Sequence, residues 1–252
     1  MENTHPRPLA IIKTGDTFEP LRAERGDFEN WMADGLGATR LPVVVLDPRR
    51  GDRLPPPDRI SGAIVSGSHA MVSHREAWSE ATGRWLAQLV AHGTPVLGIC
   101  FGHQLLADAL GGAAGDHPAG IEIGTVEVRL TPEAAHDPLM HDLPARFEAH
   151  VVHRQSALRL PAQAVRLAGN DFEAVQAFRI GANAWGLQFH PEFDAGIMRG
   201  YVDQLAGELR AQGRDPEALR EQVGATVVAA QLLGRFAHIA EEHDALATAP
   251  PG

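Results

Sequence analysis

The sequence has a single cysteine, Cys100, in 252 residues. One thiol cannot form a disulfide within the chain, which indicates a reducing compartment, and we expect a cytoplasmic protein. Long hydrophobic runs are missing too, because none approaches the ~20 apolar residues needed to cross a bilayer. The opening residues, MENTHPRPLAIIKTGD, lack the apolar region and cleavage pattern of a signal peptide. We therefore expect no membrane association.

Basic residues are outnumbered, with 22 Lys and Arg against 32 Asp and Glu and a formal net charge of −10. A surface with this balance repels phosphate backbones and anionic lipid, so we expect no nucleic-acid partner. Hydrophobic residues make up 44% of the chain, which is enough for a substantial core. With no internal repeat and no linker-like segment, the sequence predicts a single domain over residues 1–252.

The first part of the sequence alternates between apolar runs and helical patterns. The predicted strands are residues 9–15, 41–47, 60–68 and 94–100, and the predicted helices are residues 28–37, 75–92 and 103–112. This alternation is typical of an α/β fold with a parallel sheet covered by helices on both faces. The strands are continuously apolar, as strands buried on both sides are.

The remainder of the chain predicts shorter strands and then helices. Five strands joined by turns favour a small antiparallel extension of the sheet: 123–130, 146–153, 164–170, 174–180 and 184–190. Residues 213–252 form a predicted C-terminal helical extension, with one helix over 215–243 that Asp215 caps and Pro216 opens. This helix carries an apolar face that packs on the body or forms a homodimer or partner surface: Val223, Val227, Leu232, Leu233 and Phe236.

Cys100 stands in a Gly-x-Cys-x-Gly frame, GICFG, between a predicted strand and a predicted helix. On such a turn the side chain is exposed at the strand's carboxyl end, and Gly98 and Gly102 let the backbone pass closely. The helix that begins after Cys100 favours the thiolate, and the N–H of Phe101 points to where an oxyanion would develop. The alternative is a small buried hydrophobe that ends a strand.

A partner for this thiol lies in GLQFHPEF, residues 186–193. His190 and Glu192 are two residues apart on an extended segment, so their side chains leave the same face. The imidazole can take and return a proton near neutral pH, and the carboxylate can orient it. The alternative is a structural histidine at a strand end.

Three blocks in order resemble the class I, triad-type glutamine amidotransferases: GAIVSGSHAMV, GICFGHQLLADALGG and LQFHPE. The resemblance covers residues ~9–200 by order of motifs and is closest to stand-alone members similar to the amidotransferase half of GMP synthase. It implies the flavodoxin-like amidotransferase fold, a three-layer, mostly parallel sheet flanked by helices. It also implies Cys100 as nucleophile, His190 as base and acid, and Glu192 as the residue that orients the imidazole.

The resemblance further implies an oxyanion hole made by the N–H groups of Ser68 and Phe101. The substrate contacts that it implies come from Gly67, Gln104 and residues near His153. Two positions depart from the family pattern. Many members have Gly-Gly-Pro where this chain has Gly67-Ser68-His69, and a common His-x-Asp pattern becomes His153-Arg154-Gln155, without the carboxylate that holds the substrate ammonium.

The sequence therefore predicts a cysteine amidohydrolase that needs no cofactor and no metal. Attack on the side-chain amide of glutamine releases ammonia, and water hydrolyses the γ-glutamyl thioester. No Gly-x4-Gly-Lys-Ser/Thr motif occurs, so we expect a separate synthetase or ligase subunit, or independent action. Two alternatives are a γ-glutamyl peptidase, which Gln155 favours, and a non-catalytic regulatory subunit. The segment HDPLMHD, residues 136–142, has irregular spacing for a metal site and predicts a solvated turn.

Overall fold

The computed structural model describes residues 5–248, so the first and last four residues of the predicted domain lie outside the described range. The strands are β1 (Leu9–Ile12), β2 (Val43–Leu46), β3 (Gly62–Val65), β4 (Val96–Ile99), β5 (Ala113–Asp116), β6 (Glu122–Leu130), β7 (Arg146–His153), β8 (Gln155–Arg159), β9 (Ala164–Gly169), β10 (Ala177–Ile180) and β11 (Ala184–Leu187). The α-helices are α1 (Glu19–Arg25), α2 (Phe28–Gly35), α3 (Ala77–His92), α4 (Phe101–Ala109), α5 (Ala195–Ala211), α6 (Pro216–Glu221) and α7 (Val227–Thr248). None of these helices is both long enough and apolar enough to cross a membrane.

Nine strands form the central sheet, in the order β2-β1-β3-β4-β11-β10-β9-β6-β7. The first five are parallel to one another, and the other four continue the sheet in antiparallel pairs. Successive residues of β1 face opposite layers, so Ile11 packs in one core cluster with α2 and α7 while Ile12 packs in another with α3 and α4. The predicted α/β fold with helices on a parallel sheet and an antiparallel extension is confirmed.

Strand β11 corrects the predicted topology. We expected residues 184–190 in the antiparallel extension, but β11 pairs parallel with β4 in the middle of the sheet, with Leu187 opposite Ile99. The hairpin from β10 turns the chain back, so that β11 runs in the same direction as β4. The N–H of Cys100 donates to the carbonyl of Leu187 at 2.8 Å, which fixes the two chain segments side by side as they leave the sheet.

A separate two-stranded antiparallel sheet, β5 with β8, was not predicted. Helix α1 was also missed. In the small sheet, Asp116 is the register partner of Gln155, so β8 is held beside the chain that follows α4. This sheet therefore positions Gln155, one of the two departures from the family pattern.

The predicted helix over 215–243 is wrong in its continuity, because α6 ends before a break and α7 begins at Val227. Asp215 does cap α6, accepting from the N–H groups of residues 217 and 218, and Pro216 opens it. Within the break, Gly224 donates its N–H to Thr125 at 3.2 Å, a bond that competes with helical pairing.

Of the predicted apolar face, Leu232, Leu233 and Phe236 are fully buried within the chain, so they offer no surface to a second copy. Val223 is buried in a different cluster, and Val227 is 69% exposed.

The segment at residues 136–142 forms the expected turn, with residues 136, 138, 141 and 142 exposed, but Asp137 within it is not solvated. Asp137 is fully buried and accepts hydrogen bonds from Arg179 and from the indole N–H of Trp185. It also accepts from the backbone N–H groups of Leu139 and Met140. The carboxylate thus joins this loop to β10 and β11, and it is a structural group of the fold.

Candidate active site

Cys100 occupies a strained turn between β4 and α4. Its φ of 50° and ψ of −99° lie where residues with a side chain are rarely found. A Cβ on Gly98 would collide with the backbone of Gly102, and a Cβ on Gly102 would come within 2.5 Å of the carbonyl oxygen of Val65. The two glycines of the GICFG frame are therefore required by close packing. Such strain is a feature of nucleophile-bearing turns.

His190 and Glu192 follow β11 and reach this turn from the neighbouring strand. The imidazole Nδ1 lies 2.7 Å from Oε1 of Glu192, and both side chains are almost completely buried. The backbone N–H of His190 donates to the carbonyl of His150 at 2.8 Å. The ring also stacks on Phe193, with centroids 4.1 Å apart. These contacts hold the imidazole in one orientation.

The electrostatics of this group favour an imidazolium. Burial disfavours the charged ring, but the Glu192 carboxylate and the Cys100 sulfur, with their hydrogen bonds, raise the pKa of His190 to about 10. Nε2 is buried and has no hydrogen-bonding partner among residues 5–248, and the Cys100 thiol lies 3.7 Å from the carbonyl of Val152, to which it can donate. Since Nδ1 is taken by Glu192, Nε2 is the nitrogen left to exchange a proton at the sulfur.

Gly67, a predicted substrate contact, lies beside the imidazole, and the predicted oxyanion residue Ser68 follows it and lines the cavity described below. A Cβ on Gly67 would approach Cε1 of His190 to 2.9 Å, so only glycine fits there without displacing the ring. Ser68 turns its hydroxyl away, donating to the carbonyl of Thr14 at 2.7 Å, and it has no positive φ. Among the described residues, the backbone N–H groups of Ser68 and Phe101 make no hydrogen bond. The departure from Gly-Gly-Pro therefore leaves both donors available.

A cavity of about 290 Å³ opens above the sulfur, and Cys100, His190, Ser68 and Gln104 line it. Most of the other lining side chains are apolar or aromatic: Phe18, Phe28, Met71, Ile121, Tyr201 and Leu205. None of the described residues that line it is Asp or Glu. We call it the catalytic cavity. Arg154 is the one Lys or Arg side chain among the described residues that line it, and the cavity has room for a small acyl group.

The side chains of Gln104 and His153 mainly contact other protein groups. Gln104 Nε2 donates to the carbonyl of Gln155 at 2.7 Å and to Oε1 of Gln188 at 3.1 Å. The ring of His153 is fully buried between that same carbonyl, at 3.0 Å, and a carboxylate oxygen of Glu122, at 2.7 Å. Both ring nitrogens thus face acceptors, so the His153 ring orients β8, although His153 is also one of the residues that line the catalytic cavity.

Glu122 was missed in the sequence. It accepts hydrogen bonds from Asn170 and Gln176 as well as contacting His153, and it is buried. A carboxylate within the apolar stretch IEIG was the available signal, because a charge buried in a strand needs a partner. Aromatic contacts to His190 were missed too, although Phe193 directly follows the His-Pro-Glu motif.

Gln155 is the second position that departs from the family pattern, and hydrogen bonds from its side-chain amide hold it in place. Nε2 donates to Oδ1 of Asp116 at 2.8 Å and to the hydroxyl of Ser73 at 2.6 Å. The side chain is buried and lines the catalytic cavity. Asp116, at the end of β5, thus places a carboxylate in contact with the amide at position 155.

The family model described as Glutamine amidotransferase class-I matches residues 27–202. The chain belongs to this family. This class I glutamine amidotransferase is 35% identical over 158 residues to "GMP synthase [glutamine-hydrolyzing]" of Aeropyrum pernix. The match covers 63% of the chain and only 28% of that relative's length.

Two further likenesses are to a curated relative and to a solved structure. The amidotransferase is 29% identical over 153 residues to "Gamma-glutamyl peptidase 4" of Arabidopsis thaliana, covering 60% of the chain and 61% of the relative. Its fold matches a solved glutamine amidotransferase from Methylobacillus flagellatus at 25% identity and a TM-score of 0.70, over 98% of each chain. The resemblance stated from the sequence is confirmed. Among residues 5–248 no three His, Cys, Asp or Glu side chains are grouped as a metal site would require.

Proposed function

We propose that this class I glutamine amidotransferase is a cysteine amidohydrolase in which Cys100, His190 and Glu192 form the catalytic triad. The observation that carries the proposal is the pairing of His190 Nδ1 with Glu192 at 2.7 Å, beside a cysteine on a strained, cavity-lining turn. A structural histidine at a strand end needs neither the strain nor the cavity.

In the proposed reaction the thiolate of Cys100 attacks the carbonyl carbon of the substrate's γ-amide. The N–H groups of Ser68 and Phe101 donate to the oxyanion that forms. His190 gives the proton on Nε2 to the leaving nitrogen, the C–N bond breaks, and ammonia departs from a γ-glutamyl thioester. His190 then takes a proton from water, whose oxygen attacks the thioester carbon, and glutamate leaves as the thiolate is restored.

A second candidate is a γ-glutamyl peptidase, which performs the same chemistry on a substituted amide. The largely apolar walls of the catalytic cavity favour it, since they suit a substituted leaving amine. The likeness to a γ-glutamyl peptidase also supports this candidate. For the glutaminase candidate, we propose that a separate synthetase or ligase subunit takes up the ammonia. This proposal is supported by the match to the GMP synthase of Aeropyrum pernix, which covers only 28% of that relative's length.

The triad is tested by ammonia release from glutamine and amine release from a γ-glutamyl dipeptide. We expect Cys100→Ala to abolish both, and equal turnover by the wild type and this variant would contradict the proposal. The chain has one cysteine, so an electrophilic glutamine analogue should label the wild type once and Cys100→Ala not at all. Labelling no faster than that of a free thiol would favour the regulatory alternative.

The ratio of the two activities separates the two candidates. A higher kcat/KM for glutamine supports the glutaminase, and a higher value for the dipeptide supports the peptidase. Glu221→Gln is a suitable control, because Glu221 is an exposed carboxylate at the end of α6 that lines neither this cavity nor its neighbours.

A further inference from the structure

A second cavity, of about 1100 Å³, adjoins the catalytic cavity. The two share three lining residues, Met71, Ile121 and Arg154, so the cavities meet at these side chains. The second cavity follows the chain between β5 and β6 and ends against the loop between α5 and α6. It is far larger than glutamine needs, which indicates room for a longer substrate.

Two of the four Asp, Glu and Arg residues that line this second cavity have charged partners. Glu122 pairs with His153, and Arg154 makes a two-pronged ion pair with Glu208 of α5. Arg214 differs. Its guanidinium donates to the carbonyl of Ile121 at 3.0 Å and contacts no carboxylate among residues 5–248. A half-buried arginine with N–H groups to spare is suited to bind an anion.

Arg214 is also held in place. Its backbone N–H donates to the carbonyl of Leu209 at the end of α5, after Gly213 adopts a φ of 73°. The next residue, Asp215, caps α6. Because Arg214 stands between two helix ends and bonds to Ile121, which lines both cavities, its charge lies at a fixed place beside the path out of the catalytic cavity.

Other groups of the second cavity suit a peptide. Phe172 stacks on His117, with centroids 4.3 Å apart, and gives an apolar wall. The carboxylate of Asp116, which makes no ion pair among the described residues, can accept from amide N–H groups. A cation, an acceptor and an apolar wall together match a short peptide that ends in a carboxylate.

We propose that the second cavity binds the amine portion of a γ-glutamyl peptide, with Arg214 holding that peptide's terminal carboxylate. This inference rests on the proposed function and specifies the substrate class of the same site. The reaction is unchanged: the amide bond from the γ-carbonyl breaks, and a peptide amine leaves in place of ammonia.

The test compares γ-glutamylalanylglycine with its C-terminal amide, on the wild type and on Arg214→Gln. We expect the wild type to favour the free carboxylate by about tenfold in kcat/KM, as one charge-assisted contact provides. Arg214→Gln should lose that preference through KM, while its kcat/KM for the amide changes less than about twofold. Arg220→Gln is the matched control, because Arg220 is exposed, pairs with Asp203 and lines neither cavity.

Equal kcat/KM for the acid and the amide in the wild type would overturn the proposal, as would an equal loss on both in Arg214→Gln. If neither peptide turns over, binding to Cys100→Ser by calorimetry decides. A tighter Kd for the acid that Arg214→Gln abolishes supports the proposal, and absence of binding overturns it. Cys100-dependent ammonia release would then leave the triad standing while this inference fails.

Discussion

Replacing Glu192 with glutamine should move the alkaline limit of activity. Glu192 is the leading attractive influence on His190, which has a pKa raised to about 10 from its ordinary 6.5. With charge centres about 4 Å apart and an effective dielectric of about 20, the attraction is on the order of 4 kcal/mol. Because 1.36 kcal/mol corresponds to one pKa unit, losing this charge should lower the pKa of His190 to about 7.

The measured quantity is kcat/KM for the better substrate between pH 5 and pH 11. The leaving nitrogen needs the His190 proton, so the rate should fall as pH rises through the pKa of His190. In the wild type that decline is expected near pH 10, and in Glu192→Gln near pH 7. The amide also permits the wrong imidazole tautomer, so kcat at the optimum should fall by at least about 10².

The control for this change is Glu221→Gln, which should keep the wild-type profile. An unmoved alkaline limb in Glu192→Gln, in a variant that remains folded at every pH assayed, would refute the reasoning. It would mean that the group lost at high pH is not His190, or that the carboxylate does not set its protonation.

Three further outcomes follow from the same geometry. The free energy of unfolding of Cys100→Gly should exceed that of Cys100→Ala by about 1 kcal/mol, because a φ of 50° suits glycine and strains alanine. Equal or reversed urea midpoints would argue against stored strain. Gly67→Ala should lower kcat more than tenfold by pushing the ring of His190, which its Cβ would approach to 2.9 Å, and normal kcat would show that the ring yields freely. Lys13→Met should cost about 3 kcal/mol in urea unfolding, since it removes the cation that pairs with the buried Asp27 at 2.9 Å.

A pH dependence of stability follows from the raised pKa of His190. A group with a higher pKa in the folded state contributes stability that is complete below its unfolded value, about 6.5, and is lost as pH rises through about 10. The wild type should therefore lose more stability between pH 6.5 and pH 10 than Glu192→Gln does. Urea midpoints across that range measure the difference, and parallel curves for the two proteins would contradict the assignment.

The parts of the site that the sequence predicts are those encoded by close spacing. Gly98 and Gly102 flank Cys100, and the need for glycine there is visible in the pattern before any distance is known. His190 and Glu192 are two residues apart on extended chain, so their contact follows from local geometry. Pairing across the fold is different, because nothing in AWGLQFH states which strand lies beside it or in which direction.

Groups that act through distant partners were missed for a related reason. Strand β5, Ala-Ala-Gly-Asp, has no β-branched residue, and it is a strand only because β8 pairs with it. Asp116 thereby reaches Gln155 from 39 residues away. The break before α7 likewise depends on Gly224 bonding to Thr125, a contact that helix propensity alone does not reveal.

The parallel course of β11 is what makes the proposed triad geometrically feasible. Because β4 and β11 run in the same direction with Leu187 opposite Ile99, Cys100 and His190 both emerge at the carboxyl edge of the sheet. An antiparallel β11 would release His190 at the other end of a four-residue strand, roughly 13 Å away at about 3.3 Å per residue, which is too far for proton transfer. The direction of one short strand therefore decides whether the thiol has a base.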